Sequence, residues 1–145
     1  MSDQSNAGYV RTLTYEEAQH AIEAAVAKAR EIGSPSSIAV LDAGRELLAF
    51  ARMDGALLAS PEIAQNKAYT ARCMNMPTAD LGPLTQPGGP FFGLEHTHRR
   101  PMVSFGGGLP LTIDDEIVGA IGVAGGSGDQ DVEVATAGMA AVQGS

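Results

Sequence analysis

Two apolar runs of strand length, Ser37–Asp42 and Glu46–Arg52, are separated only by a turn at Ala43-Gly44. So short a connection reverses the chain, and the pair reads as a β-hairpin. A helix pattern stands on each side of it. Before it, Tyr15–Ile32 is predicted helical, with Thr14 as N-cap and Glu17 completing a capping box. Ala18, Ile22, Ala25, Ala29 and Ile32 form one apolar stripe, while Glu16, His20, Glu23, Lys28 and Glu31 largely face away. Gly33 and Pro35 end the helix. After the hairpin, Ser60 is read as N-cap, Pro61 as the first helical residue and Glu62 as a first-turn acid. That helix runs to about Met74 and stops before Pro77; Thr78–Leu84 makes a short turn and Gln86–Pro90 a loop.

The last third predicts strands and a helix. Met102–Phe105 is a short strand leading into Gly106-Gly-Gly108, Leu109–Leu111 is a weak strand, and Asp114-Asp115 turns into Glu116–Val123. Gly119 and Gly122 lie within that last strand, where glycine signals close approach of another backbone or of a ligand. A final helix follows from about Gln130 to Val142, with Val134, Ala137 and Ala141 on one side. The order predicts one α+β domain from residue 12 onward, an antiparallel sheet with helices beside it, after a flexible tail over residues 1–11.

Composition narrows the function classes. At 145 residues and 44% hydrophobic content the chain suits one folded domain and not a disordered one. Its net charge of −8 argues against nucleic-acid and anionic-membrane partners, which require a basic stripe. No apolar run approaches the roughly 20 residues that span a bilayer. Met1–Asn6 is polar, unlike a signal peptide, and the single cysteine, Cys73, suits a reducing cytoplasm. Charged residues make up only 18%, against about 25% in ordinary domains. Either copies of the chain cover part of its surface, or the genome is simply rich in Ala and Gly.

Lys67 falls on the core-facing line of Ala64, Ala71 and Met74. A lysine there must snorkel, meet a carboxylate, or point into a cavity as an ammonium for substrate binding or acid–base work. Arg52 and Asp54 beside Gly55 suit a salt-bridged turn or the polar edge of a pocket. Phe105-Gly106-Gly107-Gly108 offers a nest of backbone N–H groups but lacks a nucleotide P-loop pattern. Gly125–Gly128 reads as a helix start, because Asp129 and Asp131 already occupy the positive end of the helix. His20 is an exposed residue between glutamates. His96 and His98, beside Glu95, suit haem or metal ligation, although Arg99-Arg100 disfavours a bare cation and suits propionates or a substrate carboxylate. No metal site is assigned. Cys73 reads as a small buried hydrophobe.

Ile63-Ala64, Lys67-Ala68, Thr70-Ala71, Gln86–Pro90, Phe105–Leu111, Gly119–Val123 and Gly128–Asp131, in that order, resemble the GlcG/HbpS family of haem-degrading or haem-binding domains. The same domain ends PduO-type proteins. The resemblance implies a profilin-like fold, a homo-oligomer that is often octameric, and haem binding in some members. It carries over to Lys67, Gly106–Gly108 and the strand end at Gly119–Gly125; His96–Arg100 departs from the pattern. The expected function is therefore small-molecule binding, with haem or a related tetrapyrrole held by His96, His98, Arg99 and Arg100 near Phe105, Gly106–Gly108 and Gly125. The alternative is a cofactor-independent lyase or isomerase of a small carboxylated metabolite. There Lys67 and Arg52 bind the acid, Asp54 or Glu95 moves protons, and the glycine loop holds an oxyanion. A purely structural role is the third reading.

Overall fold

The computed structural model describes residues 11–143; residues 1–10 of the predicted tail lie outside them. Arg11 forms an ion pair with Asp114 at 3.0 Å. Helix α1 (Tyr15–Glu31) starts on the predicted capping box. The Thr14 Oγ1 accepts from the Glu17 N–H at 3.1 Å, and the Glu17 carboxylate accepts from the Thr14 N–H at 2.9 Å. Thr14→Ala is expected to cost about 1 kcal/mol, read as a lower urea midpoint at unchanged slope.

Strands β1 (Ser37–Asp42), β2 (Leu47–Arg52), β3 (Gly108–Ile113) and β4 (Glu116–Ala124) form one sheet in the order β2-β1-β4-β3. Every neighbouring pair is antiparallel. The β1–β2 hairpin and the β3–β4 hairpin thus join through their first and last strands. Helices α2 (Ser60–Met74), α3 (Thr78–Thr85) and α4 (Gly128–Gln143) complete the chain. Among the described residues no helix is long and apolar enough to cross a membrane.

Strand alternation gives the sheet two unlike faces. Ile38, Val40, Leu109, Leu111, Ile121 and Val123 pack with α1 and α4 in the main core. On the other face Ala39, Leu41, Ala120 and Ala124 meet Ala64, Ala68 and Ala71 of α2. That second layer is almost without side-chain bulk, so α2 lies against the sheet backbone. Gly122 is required by this contact: a Cβ there would run into the Ala64 carbonyl oxygen and lie 2.5 Å from the Ala68 nitrogen.

Three local expectations are corrected. Met102–Phe105 is not a strand; Met102 and Val103 are buried, and the Val103 N–H donates to Thr70 Oγ1 of α2 at 2.9 Å instead of to a sheet neighbour. Ser60 is the first helical residue and not the N-cap, because its hydroxyl is taken by the Leu57 carbonyl (2.7 Å) and the Ser37 hydroxyl (2.9 Å). Thr78–Thr85 is a full helix despite Pro83.

Candidate functional site

Lys67 is 1% exposed and fully engaged. Its ammonium donates to the Val123 carbonyl at 2.8 Å and to Asp131 Oδ2 at 2.9 Å. Asp131 is itself buried, and its other oxygen accepts from the Gly126 N–H at 2.9 Å. The pair therefore ties the middle of α2 to the end of β4 and the first turn of α4. Burial pushes the Lys67 ammonium below the usual lysine pKa, and Asp131 opposes that shift. Of the three outcomes open to this lysine, the structure selects the carboxylate.

The glycine loop closes over that ammonium. A Cβ on Gly107, whose φ is 131°, would lie 2.5 Å from the Val123 carbonyl oxygen and 2.7 Å from Lys67 Nζ. Gly106, Gly107 and Gly108 are buried, the Gly108 N–H donates to Thr78 Oγ1 at 2.9 Å, and the Gly107 carbonyl accepts from Val123 N–H at 2.9 Å. The Phe105 ring, its centroid 5.1 Å from Lys67 Nζ, covers the ammonium while remaining 56% exposed. Gly125 packs on Pro35, whose carbonyl oxygen would lie 2.5 Å from a Cβ.

The other residues of the acid–base reading lie elsewhere. Arg52 and Asp54 line a cavity of about 370 Å³ with Val26, Arg30, Ala51 and Met53, against α1. Glu95 sits in a 3₁₀ turn, Leu94–His96, with its Oε2 out of water and without a hydrogen-bond partner. The structure does not bring these three together with Lys67.

The cations converge in a different place. Among the described residues there are three ion pairs: Arg11–Asp114, Lys28–Glu31 and Lys67–Asp131. Of the remaining arginines, Arg45, Arg72, Arg99 and Arg100 border two cavities on the outer face of α2. One, of about 280 Å³, is lined by Ala43, Arg45, Arg72, Cys73 and His98. The other, of about 300 Å³, is lined by Gln65, Asn66, Arg99, Arg100, Pro101 and one acid, Glu62. Tyr69 touches residues of both. Its ring centroid lies 5.1 Å from the Arg45 guanidinium carbon and 5.7 Å from that of Arg100. The His98 ring meets it edge-on at 6.1 Å.

The hairpin turn delivers Arg45 to the first of these cavities. Asp42 Oδ1 accepts from the Gly44 and Glu46 N–H groups at 2.8 and 2.9 Å, and Arg45 takes a left-handed φ of 71°. Its Nη1 then donates to the Tyr69 hydroxyl and the Cys73 sulfur, both at 3.3 Å. Arg72 fastens the same turn to α2 by donating to the Ala43 carbonyl at 2.7 Å. Burial pushes the Tyr69 phenol above its usual pKa, while Arg45 and Arg100 pull the other way. His98 Nδ1 shares a 2.8 Å hydrogen bond with Thr97 Oγ1. His96 lines neither cavity. Among the described residues no three His, Cys, Asp or Glu side chains are grouped to hold a bare metal ion.

Arg45, Tyr69 and Arg72 are absent from the sequence-based site. One signal was available: Tyr69, Arg72 and Cys73 share one flank of α2, at spacings of three and four, beside the alanine line against which Tyr69 packs.

A family model described as haem degrading protein HbpS-like matches residues 13–140. The chain belongs to the HbpS-like family. A relative from Citrobacter freundii, an uncharacterized 15.0 kDa protein in the dhaT-dhaS intergenic region, is 40% identical over 122 residues, or 84% of this chain and 86% of that one. The corrinoid adenosyltransferase PduO of the same organism is 37% identical over 131 residues. Those residues are 90% of this HbpS-like chain but 39% of PduO. The crystal structure of a PduOC:heme complex superposes with a TM-score of 0.86 at 35% identity, covering 90% of this chain and 94% of that one.

Proposed function

We propose that this HbpS-like chain binds haem or a related tetrapyrrole across the two arginine-lined cavities on α2. The observation that carries this reading is the setting of His98: an imidazole on Tyr69, near four arginines that have no ion-pair partner among the described residues, in a chain of net charge −8. The residues suit the group. With Nδ1 engaged by Thr97, Nε2 of His98 is the nitrogen left to ligate iron. Arginine forks match propionate carboxylates. Haem, when bound, would supply the iron and its redox chemistry; His98 would hold the iron and the arginines would supply the countercharge. The PduOC:heme complex supports the ligand class.

Titrating the purified protein with haem should give a shifted Soret band. His98→Ala should lose most of the shift and His96→Ala should keep it. A wild-type band in the His98→Ala protein removes His98 as the ligand, and no band in the wild type removes the reading. Self-association belongs to the same proposal. All four phenylalanines, Phe50, Phe91, Phe92 and Phe105, are more than a third exposed, as are Leu57 and Leu58. Surface apolar mass of this kind is ordinarily covered by a partner, so light scattering should return a multiple of the 14.9 kDa chain mass.

A further inference from the structure

Arg45 and Arg100 both lie over one ring, so their guanidinium carbons are separated by no more than the two ring distances combined, 5.1 and 5.7 Å. Neither has a carboxylate within ion-pair distance among the described residues. Acids outnumber bases 17 to 9 in this chain, so two cations on one ring, neither ion-paired among the described residues, are not a shortage of partners. Their mutual repulsion opposes the arrangement, and the negative face of the Tyr69 ring holds it. Tyr69 is half-buried on α2, and Arg45 is additionally held by the left-handed turn and the Tyr69 hydroxyl. Each cation borders its own cavity, Arg45 one and Arg100 the other. A single carboxylate engages one guanidinium fork; two forks held on one ring suit two carboxylates carried by one ligand.

We propose that Arg45 and Arg100, mounted on Tyr69, form a clamp for two carboxylates projecting from the same edge of one flat ligand. This rests on the tetrapyrrole reading and deepens it: the clamp selects a tetrapyrrole with two adjacent acid side chains over one in which they are neutral. Tyr69 is a positioning residue, acting through the arginines it carries.

The test compares haem with its dimethyl ester, which keeps the iron and ring and removes both charges, by Soret titration. The native protein should bind haem about tenfold or more tighter than the ester. In the Arg45→Ala/Arg100→Ala double variant the two affinities should become equal. Tyr69→Leu should also lose the preference with both arginines present, and Tyr69→Phe, which keeps the ring face, should retain most of it. Both arginines are exposed, so the double variant folds independently of the outcome at Tyr69, and far-UV circular dichroism checks this. Equal binding of haem and ester by the native protein overturns the clamp and leaves the tetrapyrrole reading standing. A preference that survives in the double variant overturns the clamp as well. Failure of both ligands to shift the Soret band overturns the reading and the clamp together.

Discussion

Lys67→Met should lower the folding stability by about 3–5 kcal/mol, the cost of breaking a buried ion pair from one side. The loss comes less from the missing attraction than from what remains. Asp131 is 2% exposed, and without Lys67 its carboxylate keeps a single hydrogen bond, from the Gly126 N–H. The Val123 carbonyl loses its lysine donor at the same time. Removing the second charge as well, in Lys67→Met/Asp131→Leu, should recover a large part of the deficit, because two apolar side chains no longer require solvation. A double-mutant cycle by urea denaturation measures this. If Lys67→Met remains within about 0.5 kcal/mol of the native protein, as surface changes do, the pair is not structural and Lys67 returns as a binding-site candidate.

Gly122→Val should have a comparable or larger effect, more than about 4 kcal/mol or a chain that does not fold. The obstacle is backbone, not a side chain that can swing away: the Ala64 carbonyl and the Ala68 amide of α2 occupy the space. Accommodating a side chain means lifting α2 from the sheet, which opens the alanine layer and pulls on Lys67. Gly44→Ala in the β1–β2 turn is the control, since a Cβ there meets only Asp42 Oδ1 at an ordinary 3.4 Å. It should stay within about 0.5 kcal/mol of the native protein. Soluble expression with a cooperative transition near the native midpoint for Gly122→Val would show that α2 has slack which the packing does not suggest.

These two residues show where sequence reasoning reached and where it ended. Gly122 was identifiable as a point of close approach, because a glycine inside an apolar strand weakens it without another gain. What approached was open, ligand or backbone, and only the packing of α2 on that face answered it. Lys67 was equally legible as a lysine on a core-facing line. Its partner was not, because Asp131 lies 64 residues away and reads locally as an ordinary first-turn acid of α4.

The candidate site divides in the same way. His98, Arg99 and Arg100 stand out as a basic run in an acidic chain. Arg45 and Tyr69 do not, because one belongs to a hairpin turn and the other to a helix face with no apolar periodicity to mark it. They meet through the Asp42 turn geometry and the seating of α2, both tertiary facts.

By itself, the amino-acid order determined most of the elements: a boxed helix, two tight hairpins and helices beside an antiparallel sheet. The pairing of β1 with β4 and the true state of Met102–Phe105 and Thr78–Thr85 were left to the folded structure. Hydrogen-bond caps, turn residues and strand alternation act over a few residues, so they are written locally. The family likeness was legible for a related reason, since its glycine motifs mark backbone contacts that tolerate no side chain. Which glycines serve packing, which cation is sealed and which cations line open cavities depended on contacts between distant segments. Burial and charge pairing are properties of those contacts, and only the folded arrangement decided them.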